Sequence, residues 1–281
     1  MNHPIVNALF ATRAIRVCPP GEPFWYTSGL FGPYYVNTHF LYGDEASAKD
    51  LLTKIEHAAA DPLTFPTAIA AETNRRYHEN EIYRLVMDDC VRAVEGLKFD
   101  LISGGERRDF FFSIQLAKLL KLPHLSIFKD GSTVYTTADG ESTRGEDSPV
   151  VGKKALHVVD LVTQASSYIR MWLPVLNSLR IEISDTLAVV DRDQDGSSIL
   201  EQQGVRLISL AVVSTSLFAD ALAAGLIDER QMALIEGYTR DPIAFVKDFV
   251  AENPDFLHAE IAKGGKNKER AERLLESDYL I

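Results

Sequence analysis

The chain of 281 residues has two cysteines, Cys18 and Cys90, far apart, with no CxxC pair and no His/Cys cluster at metal-ligand spacing. That leaves a disulfide framework, a zinc site or a thiol redox centre without residues to build it, and a reduced cytoplasmic setting is expected. Long apolar runs are missing too: none approaches the ~18 residues of a membrane span. The start, MNHPIVNALFATRAIRV, lacks the apolar core and small-residue cleavage site of a signal peptide, so neither export nor membrane insertion is expected. Positive charge is scarce. Lys and Arg number 29 against 40 Asp and Glu, a net charge of −11, so the average surface repels nucleic acid and anionic membranes. A phosphate ligand would need a local site of backbone amides and a few cations. What remains, 46% hydrophobic and 25% charged with 17 Gly and 12 Pro, is ordinary globular composition and excludes disorder and collagen.

The fold signal lies in the middle of the chain. Short β-rich runs, FDLIS (99–103), HLSIF (124–128), KALHVVD (154–160), DTLAVVD (185–191) and VRLISLAVV (205–213), alternate with helix-compatible stretches such as FFFSIQLAKLLKL and SSYIRMWLPVLNSL. Strand alternating with helix predicts an α/β fold, a parallel sheet covered on both faces. The polar segment 130–152 is long for a connection in such a unit and reads as a mobile loop or hairpin. Ahead of it, EASAKDLLTKIEHAAA and ENEIYRLVMDDCVRAVEGL read as amphipathic helices, the second opening near Thr73 or Asn74. After 214, SLFADALAAG, DERQMALIEGY, DPIAFVKDFVAEN and NKERAERLLES predict four short helices. There Ile243, Phe245, Val246, Phe249 and Val250 share a helix face that must be buried, so the tail is expected to cap the sheet or to form a dimer contact.

In open parallel sheets ligands bind beyond the carboxyl ends of the strands, which singles out three places. In HVVDLVTQASSY (157–168) a strand ends in Asp160 and the chain passes through Thr163, Gln164, Ala165, Ser166 and Ser167 into a helix. Amides and hydroxyls there could hold a phosphate and the carboxylate could accept from ribose hydroxyls; the plainer alternative is a serine cap on the helix. In ISGGERRDFF (102–111), Gly104 and Gly105 would let the backbone approach a ligand and Arg107 or Arg108 could pair with phosphate, or the stretch is a turn with solvated arginines. In VVDRDQDGSS (189–198), Asp191-Arg192 follows a strand and Asp195-Gly196 opens a helix; the Arg192 guanidinium could bind a carboxylate or a base edge, or join a salt-bridged turn.

In this order and spacing, over residues 8–213, these pieces resemble the orotate phosphoribosyltransferases, as a divergent member. PFWYTSGLFGPYYVN (23–37) is similar to that family's early hairpin, SGGERRD falls at its pyrophosphate loop, SIFK (126–129) precedes its mobile catalytic loop, and VVDRDQDG is the most family-specific fragment. The resemblance implies a phosphoribosyltransferase-type parallel sheet of five strands flanked by helices within 1–213, a small hood from about 1–45, a helical extension over 214–281, and a homodimer. It also implies transfer of phosphoribose from phosphoribosyl pyrophosphate, with Mg²⁺, to orotate. Carried over, Asp160 and Thr163 lie at the ribose and 5′-phosphate, Gln164, Ala165, Ser166 and Ser167 in the phosphate loop, and Lys129 at the pyrophosphate. Tyr35 and Asn37 lie near the base and Arg192 on its carboxylate.

The departures weaken the match at the polyanion. Val159 replaces the motif's first acid, Gln164 its second Thr, and Ala165-Ser166 its two glycines, while Thr27 and Phe128 stand where the family has cations. If either glycine is needed at positive φ, its replacement costs about 1–2 kcal/mol or reshapes the loop. Restoring the acid and glycines is expected to strengthen phosphoribosyl pyrophosphate binding. Two readings stay open: a phosphoribosyltransferase acting on a pyrimidine or similar base, or a non-catalytic relative binding a nucleotide or phosphosugar. No DxDx or GxSxG motif supports a hydrolase.

Overall fold

The computed structural model describes residues 4–26, 28–277 and 279. Helix α1 (Pro4–Ala11) leads into two small antiparallel ladders, β1 (Ile15–Val17) with β4 (Tyr34–Val36) and β2 (Phe24–Trp25) with β3 (Phe31–Gly32). Helices α2 (Glu45–Ala58), α3 (Phe65–Glu79) and α4 (Glu81–Ala93) follow. By its packing the chain forms two compact units, one of Ala11–Ala14 and Thr38–Ser214, the other of the residues to Phe10, Ile15–Asn37 and those from Thr215 on.

The first unit is built on seven strands. In chain order β5 (Leu101–Gly105), α5 (Phe110–Leu120), β6 (His124–Ile127), β7 (Thr133–Thr136), β8 (Ser142–Arg144) and β9 (Lys154–Val162) are followed by a π-helical turn, Tyr168–Trp172. Then come α6 (Leu173–Ser178), β10 (Glu182–Asp191), α7 (Gly196–Gln202) and β11 (Arg206–Val212). Across the sheet the order is β11-β10-β9-β5-β6-β7-β8. From β11 to β6 the strands are parallel, so the five expected parallel strands are present, each at its apolar run. α5 packs on β5 and β9 with α3 and α4 against it, while α6 packs on β10 and α7 on β11. Strands covered on both faces need no polar alternation, which is why β9 is buried almost throughout.

One local expectation is corrected. Thr73 and Asn74 open no helix: they lie inside α3, and the buried Thr73 hydroxyl donates to the Ile69 carbonyl one turn back (3.1 Å). The helix start is at Asn80, whose side chain accepts the Tyr83 N–H (2.8 Å), separating α3 from α4. Of the two forms allowed for 130–152, the hairpin is found: β7 pairs antiparallel with β6 and β8 with β7.

In the second unit the tail forms five helices rather than four, α8 (Thr215–Ala223), α9 (Glu229–Arg240), α10 (Pro242–Glu252), α11 (Phe256–Lys263) and α12 (Gly265–Leu275). α11 has no side-chain cap to announce it in sequence. The apolar face of α10 is covered by the chain's own early hairpin: Trp25 and Phe31 form one cluster with Val246, Phe249, Leu257, Ala271 and Leu274. Trp25 Nε1 donates to buried Glu260 (2.9 Å), which also pairs with Lys263. The expected hood thus divides, 15–37 packing with the tail and 38–45 belonging with the sheet. No helix among the described residues is long and apolar enough to cross a membrane.

Candidate functional site

Strand order reverses between β5 and β9, since the chain proceeds from β5 to β6 on one side and to β10 on the other. At such a switch point the loops beyond the strand ends diverge and leave a crevice. Here Glu106–Asp109 after β5, Lys129 after β6, and the loop after β9 with the following π-turn line a cavity of about 330 Å³.

Backbone packing fixes the loop after β9. Ala165 sits at φ 50°, a left-handed conformation that turns the chain from Thr163 toward Ser166 and Ser167. Behind it, Gly196 at the start of α7 lies so close that a β-carbon would overlap the Thr163 carbonyl oxygen and the Val162 side chain. The other wall is aromatic: a β-carbon on Gly105 would overlap the indole of Trp172, which lines the cavity.

Two acids meet at the floor. Asp160 ends a buried run of β9 and is 8% exposed; Asp109, just before α5, is 7% exposed. Asp109 accepts the N–H of Gly105 (3.2 Å) and the N–H of Asp160 (3.1 Å), tying the β5 loop to the end of β9. Burial pushes the Asp160 carboxyl up to about 6, with Arg108 opposing, and burial followed by repulsion from Asp160 pushes Asp109 well above the usual range. Around the rim, Arg107 pairs with Glu56 of α2, and Lys129 lies 3.2 Å from Glu106, which also accepts the Lys129 N–H (3.0 Å). Below, His157 bonds Ser103 (2.9 Å), and His124 bonds Ser126 and Ser113 (3.0 Å each). Burial lowers both rings to about 3, so they are neutral. Among the described residues no group of three or more His, Cys, Asp or Glu could hold a metal ion.

The chain matches no family model. It is 26% identical over 159 residues to an orotate phosphoribosyltransferase of Sulfolobus acidocaldarius, covering 56% of this chain and 76% of that protein. To an adenine phosphoribosyltransferase of Neorhizobium galegae it is 26% identical over 179 residues, 60% of this chain and 98% of that one. Among solved structures, orotate phosphoribosyltransferase of Francisella tularensis superposes with a TM-score of 0.54 at 12% identity, covering 84% of this chain and 96% of that one. The chain is thus similar in sequence to orotate and adenine phosphoribosyltransferases and shares the fold of the orotate enzymes.

Against that family's pattern, Asp160, Lys129, Thr163, Ala165, Ser166, Ser167 and Arg107 all line one cavity. Asp160, expected to be partly exposed, is buried, with its N–H donating to Asp109. Gln164 points to solvent and is not among the lining residues. Gly104 and Gly105 do not line the cavity either: the room they leave is taken by the side chains of Ser113 and Trp172 rather than offered to a ligand. Arg192 stands at the same end of the sheet, its N–H donating to the Val162 carbonyl (2.9 Å), but is not a lining residue. Tyr35, under the Arg16 guanidinium, and Asn37 belong to the other unit. Thr27 lies outside the described residues. Phe128, where the family has a cation, is a core residue against the rings of Phe65 and Phe110. Sequence reasoning missed Asp109, Tyr168 and Trp172; the only signal was an acid directly before an apolar helical run.

The loop after β9 carries a left-handed residue at only one of the two replaced positions, so the two glycine replacements are not equivalent. Positive φ falls at Ala165 and not at Ser166. Ala165→Gly is expected to stabilise the protein by about 1 kcal/mol, less what the buried methyl contributes, and Ser166→Gly to give no gain. A melting temperature for Ala165→Gly well below wild type would refute the strain. Restoring the motif acid has the opposite sign. Val159 is 3% exposed within the cluster of Tyr168, Trp172 and Leu173, so Val159→Glu buries a charge and should cost on the order of 3 kcal/mol in denaturant unfolding.

Proposed function

We propose that the protein binds phosphoribosyl pyrophosphate in this cavity and transfers its phosphoribosyl group to orotate or a closely related base. The observation that carries the reading is the union, in one cavity, of the strand-end acid Asp160, the strained turn at Ala165 and the cations Arg107, Arg108 and Lys129. In this reading Thr163, Ser166 and Ser167 hold the 5′-phosphate and Asp160 accepts from a ribose hydroxyl. Arg107, Arg108 and Lys129 offset the charge that develops as the bond from C1 to pyrophosphate breaks and the base nitrogen bonds C1. Arg107 and Lys129 first have to leave Glu56 and Glu106. Mg²⁺ would enter as part of the substrate and offset the charge of the pyrophosphate. Orotate is favoured by the first relative above, and Arg192, at the same end of the sheet as the cavity, is its proposed contact. A homodimer in the cytoplasm completes the proposal, and two buried free thiols suit a reducing compartment.

The rim ion pairs favour a second reading, in which a phosphosugar or nucleotide binds without turnover. Calorimetric titration with phosphoribosyl pyrophosphate and Mg²⁺, then pyrophosphate release with orotate and with adenine, separates the two. Release with orotate supports transfer, binding without release supports the second reading, and no binding overturns both. Sedimentation tests the dimer.

A further inference from the structure

Asp109 has no part in the transfer proposed above, yet it occupies the floor of the same cavity. Asp109 Oδ1 accepts the backbone N–H of Asp160 (3.1 Å), which brings the two acids together, and each perturbs the ionisation of the other. Both side chains line the cavity and both are more than nine-tenths buried. Two ionised carboxylates close together away from water repel each other and lose hydration, whereas one proton shared between them allows a charge-assisted O–H···O⁻ bond.

The surroundings do not supply enough positive charge to hold two anions. Arg108, on the same loop, draws Asp160 down, but not to the ordinary carboxylate range. Arg107 and Lys129 are paired with Glu56 and Glu106, so the rim brings acids along with its cations. Tyr168 from the π-turn presents a phenol that burial, and then both acids, push further from ionising. His39, between β4 and α2, is held neutral by burial and by Arg108 and Arg107.

We propose that Asp109 and Asp160 share one proton across the floor of the cavity, and that this proton is what lets a phosphate anion be held beside two buried acids. With the proton the pair carries one negative charge; without it, two. Asp109 is then a positioning residue that sets the charge state of Asp160. The inference concerns the phosphosugar site of the preceding section and rests on that reading for its ligand, but the shared proton can be seen without one.

The experiment has two arms, both on the full chain. Infrared spectra of the ligand-free protein at neutral pH are expected to show the C=O stretch of a protonated carboxyl, shifted by ¹³C-labelled aspartate and absent from Asp109→Asn and from Asp160→Asn. In the second arm, calorimetry follows ribose 5-phosphate from neutral to alkaline pH. Wild-type affinity should fall by up to about tenfold per pH unit once the band disappears, with a proton taken up on binding, while Asp109→Asn stays flat because it cannot form the dianion. The ligand titrates identically in both proteins, so it cancels in the ratio. A purely structural role for Asp109, as acceptor of two backbone N–H groups, predicts one pH profile scaled down by a constant. Ligand binding without the band overturns the shared proton, and so do parallel profiles with the band present. The band without binding at any pH upholds the shared proton and overturns the phosphosugar reading instead. Should Asp109→Asn fail to fold, the labelled wild-type band and its Asp160→Asn counterpart decide the matter.

Discussion

Gly196→Ala is expected to be among the most damaging conservative changes in the sheet-bearing unit. The added methyl meets the Thr163 carbonyl and the Val162 side chain, and the carbonyl is main chain that has no rotamer to escape into. Either the start of α7 withdraws from the end of β9 or the loop from Thr163 to Ser167 is pushed into the cavity. The first costs about 1–3 kcal/mol of stability; the second also disturbs every group proposed to hold the 5′-phosphate. Melting temperature and ribose 5-phosphate affinity should fall together, affinity by tenfold or more, and an alanine that leaves both unchanged would show that the contact yields.

Acid should weaken the protein through its buried histidines. His39, His124 and His157 each have a folded value of about 3 against 6.5 when exposed. Between those limits the unfolded chain binds a proton at each ring and the native state does not, so stability falls as pH falls, by about 1.4 kcal/mol per pH unit per histidine. Asp109 and Asp160 act in the opposite sense. Their raised values mean that the native state binds protons the unfolded chain has lost, which offsets part of the fall below pH 6. A single replacement isolates one ring. Relative to wild type, His124→Gln should gain about 1.4 kcal/mol per unit as pH falls from 6 to 4, measured by urea unfolding. Parallel stability curves would mean that His124 is charged in the native state.

Much of the sheet could be read from the chain because its strands are covered on both faces, so each is an unbroken apolar run between Gly or polar stretches. The loop after β9 was readable for a similar reason: Asp160 ends such a run and hydroxyl residues follow. What could not be read is side-chain placement between distant segments. Nothing local to ERRD says that Asp109 will stand over Asp160, and nothing local to SGG says that Trp172, some way along the chain, will fill the space beside Gly105. Pairing of a polar hairpin with β6 is likewise decided by an available strand edge, and α3 is obscured by Pro66, which sits harmlessly in its first turn.

The cluster that joins Trp25 and Phe31 to the tail helices also constrains synthesis. The bond from Trp25 to Glu260 spans 235 positions. At ribosomal rates of about 5–20 residues per second, the hairpin emerges roughly ten to fifty seconds before its last partners exist. Throughout that interval Trp25 and Phe31 lack the helices that bury them, and within it every strand of the seven-stranded sheet is made before those helices. A nascent chain stalled shortly after β11 should therefore carry a complete sheet sequence together with an uncovered aromatic hairpin, the kind of surface on which holding chaperones act.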